Sequence, residues 1–169
     1  KDLGVDFVII GHSERRSFQN ENDSLIAQKV RAALDAGITP ILCIGETKQE
    51  RESDQTETVL RQQLGGVLPY LDPEKDEILI AYEPRWAIGT GISATPDMIE
   101  TAYGFLRKLL EETSDILSQK TPILYGGSMN ASNAASIAGI ENVDGGLIGS
   151  ASLKTDEFIK IHNALLAAC

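Results

Sequence analysis

Ile78-Leu79-Ile80-Ala81-Tyr82 is apolar at five consecutive positions and runs straight into Glu83-Pro84. A short unbroken apolar run rich in β-branched residues reads as a strand covered on both faces, as in a parallel sheet flanked by helices. Working outward, four more segments have this character: Val5-Asp6-Phe7-Val8-Ile9-Ile10, Pro40-Ile41-Leu42-Cys43-Ile44, Pro122-Ile123-Leu124-Tyr125 and Gly146-Leu147-Ile148. Between them the spacing becomes helical. Ile26, Val30, Ala33 and Leu34 share one face of a helix that Gly37 stops. A second helix is predicted from Thr56 to Leu68. In the third, Thr95 caps the N-terminus, Pro96 suits the first helical position and Asp97 suits the positive helix end. Its buried stripe is Ile99, Ala102, Tyr103, Leu106, Leu109 and Leu110. A short helix follows Asn130, and the last runs from about Thr155 to Ala167 with Phe158, Ile161, His162 and Leu165 on one face. The β-α alternation, repeated five times, implies right-handed crossovers and a parallel α/β sheet. No linker interrupts it, so residues 1–169 are expected to form a single domain.

Fifteen Lys and Arg against 25 Asp and Glu give a formal charge of −10. That charge argues against nucleic acid or an anionic membrane as partner. The apolar fraction of 42% excludes a disordered chain. No stretch of 18 uncharged apolar residues exists, so no spanning helix is expected. Lys1-Asp2-Leu3-Gly4 carries no apolar signal region and no initiating Met, and further residues are expected upstream. Cys43 lies inside an apolar run and Cys169 at the end. The pair makes neither a disulfide framework nor a metal spacing, which fits a reducing compartment.

In parallel α/β folds the loops after the strands' carboxyl ends carry function. His12, in Gly11-His12-Ser13-Glu14-Arg15-Arg16, falls at a strand end beside the start of a short helix. The positive helix end disfavours imidazolium, so His12 is expected to be neutral and able to donate a hydrogen bond to a carbonyl; a turn-capping histidine is the plainer alternative. Glu46, after the second strand, reads as a helix-start acid or a partner for an Arg, and Cys43 as a small core residue. Pro84 keeps Glu83 extended at its strand end, where desolvation would make the carboxylate a stronger base. The loop that follows has a stiff Pro84-Arg85-Trp86 start, an apolar Ala87-Ile88 tip and small residues at its far end, the composition of a lid. Tyr125-Gly126-Gly127-Ser128 and Gly149-Ser150-Ala151-Ser152 are small-residue turns whose backbone N–H groups can face an anion.

Several of these strings resemble triosephosphate isomerase: Gly11 to Arg16, Ala81 to Gly91, Tyr125 to Ser128, and Asp144-Gly145-Gly146-Leu147-Ile148-Gly149. The resemblance implies a TIM (β/α)8 barrel, of which this chain supplies about five βα units, the fourth to the eighth. It also implies interconversion of dihydroxyacetone phosphate and D-glyceraldehyde 3-phosphate, with no cofactor and no metal, by a homodimer in the cytoplasm. Carried over, Glu83 is the base, His12 the neutral electrophile, and Glu14 a third catalytic-site residue. Gly89, Ser128, Gly149 and Ser150 bind the substrate phosphate. The lid comprises Pro84, Arg85, Trp86, Ala87, Ile88, Thr90, Gly91 and Ala94, with Tyr125 and Ser128 bonding its closed form near Ala94 and Gly91. Arg85 stands where the family often has Val, and Ser150 where it commonly has Gly. The family's Asn-x-Lys segment and most of its dimer-interface loop region have no counterpart in these residues. Isolated, the 169-residue chain is therefore expected to be weakly active or inactive, and a truncated relative that merely binds phosphate is the alternative.

Overall fold

The computed structural model describes residues 1–88 and 93–168. In chain order it contains β1 (Phe7–Ile10), α1 (Ser13–Phe18), α2 (Asp23–Asp35), β2 (Thr39–Ile44), α3 (Lys48–Glu52), α4 (Thr56–Gly65), β3 (Leu79–Tyr82), α5 (Pro96–Thr113), α6 (Asp115–Lys120), β4 (Ile123–Tyr125), α7 (Ala134–Ala138), β5 (Gly145–Gly146) and α8 (Thr155–Leu166). The strands form one parallel sheet in the order β1-β2-β3-β4-β5. Its register sets Ile10 beside Leu42, Ile44 beside Tyr82, Tyr82 beside Tyr125, and Tyr125 beside Gly146. The residues that follow these pairs, among them Gly11-His12, Gly45-Glu46, Glu83 and Gly126, therefore emerge along one edge of the sheet.

The helices form for local reasons before they pack. Asn22 accepts from Leu25 N–H to cap α2, and Thr95 accepts from Met98 N–H to cap α5 ahead of Pro96. The whole stripe expected on α5 is buried, and Tyr103 meets Tyr82 edge-on at 5.9 Å between ring centroids. With Leu42, Ile44, Leu60, Ile80 and Tyr125, that stripe makes the core between the central strands and their covering helices. Arg107 of α5 donates to Ser118 O and Thr121 O and pairs with Asp144, tying the amino ends of β4 and β5 to the helical layer.

Four expectations need correction. The strands are not all buried on both faces: Phe7 and Ile9 of β1 are 55% and 48% exposed, because β1 ends the sheet and one of its faces has no neighbour among the described residues. The helix begun at Thr56 stops at Gly65 rather than Leu68, since Gly65-Gly66 ends it and Pro69 joins a separate 3-10 turn at Leu68–Tyr70. The fifth strand pairs at Gly145–Gly146, earlier than the apolar Leu147-Ile148 suggests. On α8 only Ile161 is buried, while Phe158 and His162 are exposed. Helical spacing marks an apolar stripe but cannot say what covers it. Two short helices, α3 and α6, add to the expected set. The Thr47-x-x-Glu50 capping box before α3 is a legible signal for the first of them.

Candidate active site

His12 is the N-cap of α1, and its Nδ1 accepts from Glu14 N–H at 3.3 Å. With Nδ1 taken up by that cap, Nε2 is the ring nitrogen left to face a partner. Nε2 lies 3.4 Å from Glu83 Oε1. The other carboxylate oxygen, Oε2, accepts from Ser13 N–H at 3.1 Å. Glu83 is only 2% exposed. Burial raises its carboxyl above the ordinary value, against the lowering pull of His12, Ser13 N–H, the Cys43 thiol and Arg16. Cys43 is wholly buried, and burial first, then the Glu83 charge, push its thiol up, so it is a neutral donor rather than a nucleophile.

Two glycines make room for the base. A Cβ on Gly45 would stand 1.8 Å from Glu83 O, and one on Gly126 would stand 2.6 Å from Glu83 Cγ. Gly126 thus serves the protein's own carboxylate, whereas its motif alone suggests close approach to a ligand. Gly127 likewise leaves space for the Tyr125 hydroxyl, which a Cβ would meet at 2.3 Å. Sequence reasoning passes over the role of Gly45, although a glycine directly after a strand is a visible hint of close backbone approach.

Glu46 is more than an Arg partner. Wholly buried, it lies 3.7 Å from Arg51 Nη1 and accepts from the Tyr82 hydroxyl and from Trp86 Nε1 at 3.0 Å. Its carbonyl also accepts from Arg85 N–H at 3.0 Å. The start of the loop after β3 is therefore anchored on β2's end, with Trp86 half-buried and Ala87 buried. Pro84 is buried, Arg85 and Ile88 half-buried, and Arg85 Nη2 donates to Ser17 Oγ at 2.6 Å. At the loop's far end Ala94 N–H donates to the Tyr125 hydroxyl at 3.4 Å, and Ser93 Oγ donates to Ser128 O at 3.0 Å. Gly89, Thr90 and Gly91 lie outside the described residues, as does the expected Ser128–Gly91 contact. Ser128 engages Ala87 O, by its hydroxyl at 2.6 Å and its N–H at 3.2 Å.

The remaining candidates are less enclosed. The Glu14 side chain is exposed, and the residue's part in this cluster is the backbone N–H that fixes His12. Gly149 and Ser150 are exposed at a 3-10 turn, where Ser152 bonds back to Gly149 O through both its N–H and its hydroxyl. The described residues contain no cluster of three or more His, Cys, Asp or Glu able to hold a metal. They also contain no helix long and apolar enough to cross a membrane.

Comparison with known proteins places this geometry in context. The family model described as triosephosphate isomerase matches residues 1–165. The triosephosphate isomerase of Vesicomyosocius okutanii is 49% identical over 97% of this chain and 66% of its own length. That of Ruthia magnifica is 47% identical, again over 97% of this chain and 66% of its own length. That of Colwellia psychrerythraea is 48% identical over 97% of this chain and 64% of its own length. The chain thus spans somewhat under two thirds of the length of these curated relatives.

Proposed function

The chain belongs to the triosephosphate isomerase family, and from that premise we propose that it carries the proton-transfer half of an isomerase acting on dihydroxyacetone phosphate and D-glyceraldehyde 3-phosphate. The observation that carries the reading is the pairing of a carboxylate 2% exposed with the imidazole Nε2 of His12 3.4 Å away. Glu83 removes a proton from the hydroxymethyl carbon of the ketose, and the C–H electrons form the enediolate double bond. His12 donates through Nε2 to the carbonyl oxygen as negative charge develops there and relays a proton between the two oxygens. Glu83 then returns its proton to the neighbouring carbon, giving the aldose. Burial suits the carboxylate to this work, because a base with a raised pKa is stronger at neutral pH. The steps are internal proton transfers, so the chemistry calls for no redox partner.

Backbone N–H groups of Gly149, Ser150 and Ser128, with Gly89, are proposed to hold the phosphate dianion. Donors of this kind explain how a chain of charge −10 takes an anionic substrate, since the local field decides. Ser128 N–H donates to Ala87 O in this structure, so it must leave that carbonyl to reach a phosphate. The loop from Pro84 to Ala94 is proposed to shield the enediolate from water, with Tyr125 and Ser128 as its contacts. The homodimer and the cytoplasmic setting belong to the same proposal. Its test is the isomerase assay on the intact protein: Glu83→Gln is expected to lower kcat by about 10²- to 10⁴-fold. A variant within twofold of the parent would remove Glu83 as the base.

A further inference from the structure

Arg85 stands two residues beyond Glu83, on the loop after β3, and Ser17 stands five beyond His12, on α1. Their side chains meet across the gap between these elements, Arg85 Nη2 donating to Ser17 Oγ at 2.6 Å. The loop is held from its other flank by Glu46, whose carbonyl takes Arg85 N–H and whose carboxylate takes Trp86 Nε1. Glu83 lies between these two attachments, and its own oxygens face His12 and Ser13 at the start of the same helix that carries Ser17. Among the described residues no carboxylate forms an ion pair with Arg85, so the serine hydroxyl is what orders this guanidinium. A shorter side chain at position 85 could not span the gap.

We propose that Arg85 and Ser17 form a clamp across the mouth of the cleft that sets how closely Glu83 is held against His12. The proposal rests on the reading of Glu83 as the base. The two clamp residues are positioning residues: neither touches the reacting atoms, and each acts through the backbone that continues into Glu83 or His12. Removing either side chain frees the loop from α1 while its bonds to Glu46 and Ser128 remain, so water gains access to the carboxylate from the α1 side.

The test uses the chain's single tryptophan, Trp86, which directly follows Arg85. Acrylamide quenching of its fluorescence is expected to rise about twofold in Arg85→Met and in Ser17→Ala, and no further in the double variant, because each substitution cuts the same bond. Ser17 is exposed and Arg85 only half-buried, so the variants should fold. In the isomerase assay each variant is expected to lose about three- to tenfold in kcat/KM, and the acid limb of its pH profile is expected to move to lower pH as Glu83 becomes wetter. The groups facing Glu83 are His12 and Ser13 N–H from the β1 end, Cys43 from β2 and Arg16 from α1; none of them is altered. Quenching unchanged in both single variants, or additive in the double, overturns the clamp. A lowered amplitude with an unmoved acid limb overturns the positioning role. Should Glu83→Gln leave turnover intact, the reading of the base fails, and the quenching result still decides the clamp.

Discussion

Glu83 and the Gly149–Ser150 turn both follow a strand's carboxyl end, yet they are built on different terms. Glu83 sits in the middle of the sheet, accepting from Ser13 N–H, facing His12 and the Cys43 thiol, and flanked by glycines on β2's and β4's ends. The outer turn lies at the end of the sheet, where a Cβ on Gly149 would meet nothing within 4 Å and the main bonds run back within the turn itself. Neighbouring strands thus dictate where the carboxylate stands, whereas the outer turn keeps its shape by local bonds and stays open to solvent. The difference teaches that pre-organisation here is concentrated on the carboxylate proposed as the base, while the turn proposed to offer backbone donors to an anion has little enclosure.

That contrast can be broken experimentally, beginning with the largest effect. Gly45→Ala drives a Cβ to 1.8 Å from a backbone oxygen, and a loss of more than about 4 kcal/mol is expected, read as failure to fold cooperatively in denaturant titration. Gly126→Ala meets chiefly the Glu83 side chain, at 2.6 Å, with Tyr82 O at 3.3 Å. Its fold is expected to survive while kcat drops about 10²-fold through a misplaced base. Glu46→Ala removes the carboxylate that accepts from Tyr82 Oη and Trp86 Nε1; about 1–3 kcal/mol of stability is expected to go, with a change in Trp86 emission. At the sheet's end, Ser150→Gly is expected to stay within about 0.5 kcal/mol of the parent and to retain activity, since the backbone N–H is kept.

A pH experiment sharpens the same point. Burial raises the folded-state pKa of Glu83 above its ordinary 4.5. A raised acid pKa gives a contribution to stability that is present below the unfolded value and lost as pH rises through the folded one. At pH 7 the buried charge therefore works against folding. Glu83→Gln is expected to raise the denaturation midpoint at pH 7, with the gain shrinking towards zero below about pH 4.5.

Much of this arrangement was legible in the residues. Five apolar runs gave five parallel strands, and the α5 stripe was complete down to Leu110, because consecutive burial and helical spacing are both written locally. The positions of His12 and Glu83 at strand carboxyl ends, β1's and β3's, followed from order alone. What escaped depends on partners distant in sequence. The burial of Glu46 requires Tyr82 and Trp86, 36 and 40 residues away. The reason for Gly126 is a side chain on the adjacent strand. The exposure of Phe158 on α8 depends on which neighbours the helix finds, and no periodicity encodes that.

The central claim is that Glu83 moves a carbon-bound proton. It is tested most directly by following deuterium entry from heavy water into the carbon positions of dihydroxyacetone phosphate by NMR, with the intact protein and its Glu83→Gln variant. The account predicts enzyme-dependent exchange in the parent and a loss of about 10²-fold or more in the variant. Equal exchange rates in the two proteins would contradict it.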